Sequence, residues 1–331
     1  MKKIINEPSH VVEEMIEGFC YAHNDLVKRL ENTNVIVKKN KQRGKVALVS
    51  GGGSGHEPSH AGFVGTGMLD AAVCGEVFTS PTPDQVLEAI KATDCGAGVL
   101  LIIKNYTGDV MNFEMALELA EAEGIRVDKV IVDDDIAVED STYTAGRRGV
   151  AGTVLVHKIL GAATEQGLSL TEVKELGDRL VQQIKTIGVA LTAATVPEVG
   201  KPGFDLAVDK MEYGVGIHSE PGYRREKLKS SKEIAIELIT KLKQDFNWKS
   251  GDRFGILVNG LGATPLMEQY IFINDVKDQL EEEGLQIDFK KVGNLMTSID
   301  MAGISLTLIK LTEKEWLDYY HTSVNVTSWS V

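Results

Sequence analysis

Short apolar runs alternate along the chain with stretches of helical spacing. KVALVS (45–50), VLLIIKN (99–105) and KVIVDDD (129–135) are dense in valine, isoleucine and leucine, as buried strands are. PTPDQVLEAIKATDC and NFEMALELAEAEG repeat apolar residues every three to four positions, which predicts helices. Strands alternating with helices of this length predict a mostly parallel sheet covered on both faces. TVLVHKILGAATEQG and SLTEVKELGDRLVQQIKTIGVALTAA then read as two longer helices, and VPEVGKPG (196–203), rich in proline and glycine, interrupts the pattern. Beyond it come a loop around His218, a helix from Ser231 to about Phe246, and a strand feeding a glycine turn, RFGILVNGLGAT (253–264). A helix to Gly284, the strands LQIDFKKV and ISLTLIKL, and the helical TEKEWLDYYH complete the chain. There is no internal repeat and no low-complexity segment. The expected architecture is α/β in two domains: residues 1–195 with a mostly parallel sheet flanked by helices, and a smaller α/β domain, residues 196–331, with a mixed sheet.

Composition narrows the function classes. The 331 residues suit two domains, with 43% apolar and 25% charged residues as in ordinary globular proteins. A net charge of −13, from 48 acids against 35 bases, argues against binding nucleic acid or an anionic membrane through the overall field. Arg147-Arg148 and KLKSSK from Lys227 are the local basic hints. MKKIINEPSH lacks the sustained apolar stretch of a signal peptide, and GAGVLLII (96–103) is far short of a membrane span. Cys20, Cys74 and Cys95 are odd in number and lack CxxC spacing, so they read as buried, reduced thiols of a cytoplasmic protein.

Candidate chemistry begins at SGGGSGHEPSH, Ser50 to His60, after the first strand. The stretch lacks the lysine of a phosphate loop, its glycines miss the dinucleotide register, and His56 stands where a nucleophile elbow needs glycine. HEPSH is literally H-E-x-x-H, the zinc-hydrolase pattern. That pattern needs both histidines on one helix, and Pro58 opposes it. What remains is a backbone cradle for a small polar ligand, with His56 at its rim, or a plain turn.

Lys104-Asn105-Tyr106-Thr107-Gly108-Asp109 follows a buried strand. Its lysine can meet a ligand oxygen and Asp109 can accept a hydroxyl proton, or Asp109 simply caps the next helix. GVGIHSEPG places His218 in a glycine-held loop, where imidazole can act as base or nucleophile, or as an ordinary hydrogen-bonding side chain. Asp133-Asp134-Asp135 reads as a solvated acidic loop rather than a magnesium site. His157 reads as a satisfied core residue. Val258-Asn259-Gly260-Leu261-Gly262 is a second ligand loop or a tight turn.

Taken together, GGGSGHEPSHAGFVGTGMLDAAVCGEVFTSPTPDQ, KNYTGDVMNFEMA, VDDDIAVEDSTYTAGRRGVAGT and GIHSEPG resemble the dihydroxyacetone-binding subunits of dihydroxyacetone kinases, over essentially the whole chain. The resemblance implies that His218 bonds covalently to the substrate carbonyl as a hemiaminal. It implies that His56 accepts the proton of the attacking hydroxyl and that Asp109 assists. It places Gly53, Ser54, Gly55 and Lys104 among the groups that hydrogen-bond the triose. The length, with no stretch left for a nucleotide domain, leads us to expect the bacterial phosphoenolpyruvate-dependent type. There a separate L subunit carries ADP/ATP and Mg2+ and a phosphotransferase M subunit recharges it, so this subunit needs no cofactor or metal of its own. A cytoplasmic homodimer is also implied, and the alternative member is a dihydroxyacetone-sensing co-activator of a transcription regulator. One departure is visible: Ser219 stands where the family commonly has glycine, a strained choice if that position takes a positive φ.

Overall fold

The computed structural model describes residues 2–139 and 144–330, so part of VDDDIAVEDSTYTAGRRGVAGT lies outside the described residues. The first half runs α1 (Val11–Ala22), β1 (Val27–Arg29), β2 (Val35–Lys38), β3 (Ala47–Ser54), β4 (Ala71–Val77), α2 (Pro83–Thr93), β5 (Val99–Lys104), α3 (Thr107–Ala122), β6 (Val127–Val132), α4 (Thr153–Glu165) and α5 (Leu170–Val181). The second runs β7 (Ile184–Ala190), β8 (Lys210–Tyr213), β9 (Arg224–Lys227), α6 (Ser231–Phe246), β10 (Arg253–Gly260), α7 (Leu266–Glu282), β11 (Gln286–Gly293), β12 (Gly303–Lys310) and α8 (Lys314–His321).

Among the described residues two six-stranded sheets result, ordered β1-β2-β4-β3-β5-β6 and β11-β10-β12-β7-β8-β9. In the first, β4, β3, β5 and β6 are parallel and β1 and β2 form an antiparallel edge. The second is mixed, with β10 and β11 its parallel pair. The expected α/β class with a mostly parallel first sheet and a mixed second sheet is therefore what the chain adopts. No helix among the described residues is long and apolar enough to cross a membrane.

Why β3 and β5 read as unbroken apolar runs is clear from their two faces. Val49, Leu101 and Ile103 pack under α2 and α3, while Leu48, Leu100 and Ile102 pack on the α4 side. Parallel strands covered on both faces lose the polar alternation of a half-exposed strand. The α4-side core also takes in Leu257 and Ile309 of the second sheet and Trp316 of α8, so it is shared between the sheets. The far face of the second sheet is covered by α6 and α7. Along the first sheet, β4 lies on one side of β3 and β5 on the other. The chain thus reverses its winding at β3, and a crevice opens beyond the carboxyl end of that strand.

Several sequence readings need correction. SLTEVKELGDRLVQQIKTIGVALTAA is not one helix. It divides into α5, opened by a Ser169/Glu172 capping box, and strand β7, which lies between β12 and β8. The sheets therefore change over between β6 and β7, ahead of the 196–203 segment used to separate the expected domains. The acidic loop is also not solvated. Asp134 and Asp135 are 1% and 2% exposed. Asp134 accepts from the amides of Val150 and Gly152, each at 2.8 Å, and from the Thr186 hydroxyl of β7. Asp135 pairs with Arg148 at 2.7 Å. Of the cysteines, all free, Cys74 is buried but Cys20 and Cys95 are half-buried.

Asn259, at the end of β10, is neither a ligand group nor part of a tight turn. Fully buried, its Oδ1 accepts from the amides of Leu295 and Met296 at 2.8 and 2.9 Å, and its Nδ2 donates to Met296 O at 2.7 Å. Those bonds fix the loop after β11. Truncation would strand two buried amides, each at a cost of about 1–3 kcal/mol. Asn259→Ala is accordingly expected to lower unfolding free energy by about 3 kcal/mol in urea titration. A loss under about 0.5 kcal/mol would show that the loop is held by other contacts.

Candidate functional site

The glycine stretch is not a loop. Gly51 to Ser54 continue β3 as far as its pairing with β4, Ser54 lying opposite Val77. Glycine is required there because neighbours crowd the backbone. A Cβ on Gly52 would run into the ammonium of Lys104, and one on Gly53 into the backbone of Phe78 and Thr79. Lys104, the last residue of β5, is fully buried, and its Nζ sits 3.1 Å from Asp109 Oδ2 and 3.5 Å from Gly51 O. Asp109 lies in the first turn of α3 but does not cap it, since no side-chain cap bond closes that end. The capping alternative for Asp109 is thereby replaced by a buried ion pair, whose other carboxylate oxygen, Oδ1, has no partner among the described residues.

His56 follows β3 in a turn and is wholly buried. Its Nδ1 lies 2.7 Å from the carbonyl oxygen of Thr297, in the loop braced by Asn259. A carbonyl can only accept, so Nδ1 carries the proton and Nε2 keeps a lone pair with no partner among the described residues. Burial, reinforced by the nearby His218 and Lys104, holds the imidazole pKa well below its usual value, against the contrary pull of Thr297. The ring is neutral at pH 7. Phe78 stacks on it with centroids 5.2 Å apart, and His218 meets it edge-on at 4.7 Å.

His218 is partly exposed, in the loop between β8 and β9. Tyr106 and Phe78 contact it edge-on at 4.4 and 5.3 Å, so aromatic walls surround the imidazole. Ser219 does take a positive φ, 61°, and its hydroxyl accepts from the amide of Ala194 at 3.2 Å, which holds the strained turn. A cleft of about 530 Å³ opens here, lined by Gly53, Phe78, Tyr106, Gly108, Asp109 and His218. Phe78 and Tyr106 were not singled out in the sequence, although GEVFTSP, where a bulky residue meets a strand end before proline, carried a signal.

Of the predicted residues, His56, Lys104, Asp109, His218 and Gly53 converge. Two others have local partners: the Ser54 hydroxyl donates to Gly75 O at 2.7 Å, and the Gly55 amide donates to the Glu57 carboxylate at 3.0 Å. The H-E-x-x-H reading does not match the geometry. Residues 56–60 form a turn, and His60 faces His157, Nδ1 to Nε2 at 2.9 Å, rather than standing beside His56. His157 is only half satisfied, because its Nδ1 is buried without a partner.

The Dak1 domain model matches residues 17–328, nearly the whole chain. The chain belongs to the Dak1 family. It is 66% identical over 328 residues to the dihydroxyacetone-binding subunit DhaK of the PTS-dependent dihydroxyacetone kinase of Lactococcus lactis, covering 99% of both chains. It is 45% identical to the DhaKLM operon coactivator DhaQ of the same organism, over 99% of this chain and 100% of that one. The crystal structure of the dihydroxyacetone kinase of C. freundii in its native form superposes with a TM-score of 0.92 at 36% identity, covering 99% of this chain and 60% of that chain. In this Dak1 chain the glycine strand, the Lys104–Asp109 pair and the His218 loop thus sit on a fold shared by kinase subunits and a coactivator.

The buried imidazoles make stability depend on pH. His56 and His60 are held well below the ordinary histidine pKa and His157 is held at about 3, burial being the leading cause in each. Because the folded pKa values are depressed, stability is full above about pH 6.5 and falls as protons favour the unfolded chain. Near pH 5.5 the slope approaches three protons, about 4 kcal/mol per pH unit. Asp134, raised to about 6 by burial, opposes it by up to one proton between about pH 4 and 6. Urea midpoints at pH 7.5, 6.5 and 5.5 are expected to fall accordingly, and His157→Gln to remove one proton from the slope. Midpoints flat across that range would refute neutral buried imidazoles.

Proposed function

We propose that this chain is the dihydroxyacetone-binding subunit of a PTS-dependent dihydroxyacetone kinase. In this reading His218 holds the triose as a hemiaminal, while His56 and Asp109 serve transfer of a phosphoryl group to a substrate hydroxyl. The observation that carries it is the cleft itself. An imidazole ringed by aromatic side chains faces it, and behind lie a neutral His56 with a free Nε2 and an Asp109 oxygen without a partner. Such groups are costly unless a ligand completes them. The names of the relatives and the length of the match supply the substrate class.

The chemistry follows from these side chains. A ketone carbon accepts the imidazole lone pair, whereas glycerol, alike in size and hydroxyls, has no electrophilic carbon. A covalent bond also fixes the triose, providing part of the orientation that phosphoryl transfer needs. Lys104 sits where it can draw a substrate oxygen or hold Asp109 charged. His56 Nε2 can take the hydroxyl proton as that oxygen attacks phosphorus. The phosphoryl donor is an ADP/ATP and Mg2+-bearing L subunit, recharged by a phosphotransferase M subunit drawing on phosphoenolpyruvate, and the chain works as a homodimer. A coactivator function is the second reading, since a coactivator is 45% identical. A sensor needs only the carbonyl-binding nucleophile, so the Lys104–Asp109 pair and the free His56 nitrogen favour the kinase subunit.

Intact-protein mass spectrometry tests the first step. Dihydroxyacetone is expected to add one triose mass to the wild type, glycerol to add nothing, and His218→Ala to lose the adduct. A stable adduct on His218→Ala would overturn the assignment of the nucleophile. Asp109→Asn and His56→Ala are expected to keep the adduct and to lower turnover with the L and M subunits by about 100-fold or more. Full turnover in both variants would remove their acid–base roles, and an adduct without turnover in the wild type would favour the coactivator.

A further inference from the structure

Glu220 holds a position beside His218 that none of the roles above uses. It is 7% exposed, and its carboxylate binds the backbone of His218 with one oxygen and faces the ring of the same residue with the other. Oε2 accepts from the backbone amide of His218 at 2.9 Å, and Oε1 stands 3.4 Å from the imidazole Nδ1. At that distance the second contact is not a hydrogen bond, and Oε1 has no hydrogen-bond partner among the described residues, so its influence on the ring is electrostatic. Behind the carboxylate lies Arg148, 1% exposed, which donates to Asp135 Oδ2 and to Gly214 O, each at 2.8 Å. Gly216 leaves room for this arrangement, since a Cβ there would strike both the Glu220 carboxylate and the Arg148 guanidinium.

We propose that Glu220 is the positioning residue for His218: its carboxylate draws the imidazole proton onto Nδ1 and leaves the Nε2 lone pair free to attack the substrate carbonyl. The proposal rests on the reading of His218 as the carbonyl-binding group. A neutral imidazole has one N–H and one lone pair, and an ionised carboxylate only accepts, so the nitrogen facing it is the one that keeps the proton. In the addition, Nε2 gives its lone pair to the carbonyl carbon and the carbonyl π pair moves onto oxygen. The oxygen takes one proton from solvent, and the imidazolium so formed keeps its Nδ1 proton against Glu220. A fixed negative charge at that point stabilises charge that appears only as the bond forms.

Glu220 stays ionised where the reaction needs it. Burial pushes its pKa upward, but the contact with His218 and the charge of Arg148 more than offset this and hold it at about 2. Tyr106 and Asp135 are the other titratable groups around it, and both keep their protons more tightly than usual because of burial.

The test uses full-length protein labelled with 15N at histidine, with His218→Ala identifying the His218 signals. Long-range proton–nitrogen correlation at pH 8 reads the tautomer without any substrate, and mass spectrometry reads the adduct against dihydroxyacetone concentration. The wild type is expected to show Nδ1–H. Glu220→Gln, whose amide can donate to an unprotonated Nδ1, should shift the ring toward Nε2–H and raise half-saturation at least about tenfold. Glu220→Asp should recover part of both. Nε2–H in the wild type, or an unchanged tautomer and adduct in Glu220→Gln, would overturn the proposal. A wild type with the Nδ1–H tautomer but no adduct at any concentration would remove the carbonyl reading and, with it, the purpose assigned to Glu220, while confirming the tautomer. If Glu220→Gln fails to fold, the wild-type tautomer and Glu220→Asp decide the matter.

Discussion

The site depends on one hydrogen bond between the two sheets, from His56 Nδ1 to the carbonyl of Thr297. His56 follows the first sheet's central strand, and Thr297 belongs to a loop of the second. The bond sets the tautomer and aims the free nitrogen inward. It is not alone in carrying the loop. Thr297 N donates to His56 O, Ile299 N to Gly55 O, and Ser59 Oγ to Leu295 O. These bonds zip the turn after β3 to the loop after β11, and Asn259 anchors that loop from below. A shift between the sheets would therefore move His56 away from His218, which the second sheet supplies through the loop between β8 and β9. The shared core of Leu257, Ile309 and Trp316 under α4 opposes such a shift by the area it would expose.

Much of the fold was legible because its central strands announce themselves. The start of β3, and β5, β10 and β12, carry short runs of large aliphatic residues, and α2, α3, α6 and α7 show helical spacing, α6 with its Ser230/Glu233 capping box. β7 escaped because Ile184, Ile187 and Val189 follow directly on a helical pattern, and a short apolar run has no period long enough to separate strand from helix. Only its antiparallel partners on either side identify it. The acids at the end of β6 escaped for a different reason. A run of three aspartates is usually solvated, and the groups that let Asp134 be buried, at Val150, Gly152 and Thr186, are all remote in sequence.

At the site the same division holds. His56, Lys104, Asp109 and His218 each lie in a local pattern that marks an unusual residue at a strand end or in a glycine loop. The rule that parallel sheets bind ligands beyond the carboxyl ends of their strands brings together His56, Lys104 and Asp109. His218, between antiparallel strands of the second sheet, joins them only through the family resemblance. The second tier did not follow from any local pattern. Asn259 and the 295–299 loop act through backbone carbonyls, which no side-chain motif records. Arg148 was visible only as half of a basic pair, yet it is buried between Asp135 and the His218 loop.

Backbone strain gives an independent view of where the fold has been bent to a purpose. Among the described residues five non-glycine positions have positive φ, and three of them contact or adjoin residues of the candidate site. Phe78, at 55°, stacks on His56. Ser219, at 61°, follows His218. Ile299, at 53°, donates to the Gly55 carbonyl and would meet a side chain placed on Gly55. For a β-branched residue such as isoleucine this region is a true outlier, and each such residue costs on the order of 1–3 kcal/mol. The other two, Asn32 and Asn247, are asparagines, which tolerate the conformation, and Asn247 simply ends α6. Strain in bulky or β-branched residues is retained only where surrounding contacts over-determine it. Here those contacts are the inter-sheet bonds at His56, the aromatic packing around His218 and the Ala194 bond to Ser219. The same contacts hold the two imidazoles edge to face, with centroids 4.7 Å apart, beside the cleft. A fold relaxed at these three residues would lose strain, and the alignment of His56 with His218 along with it.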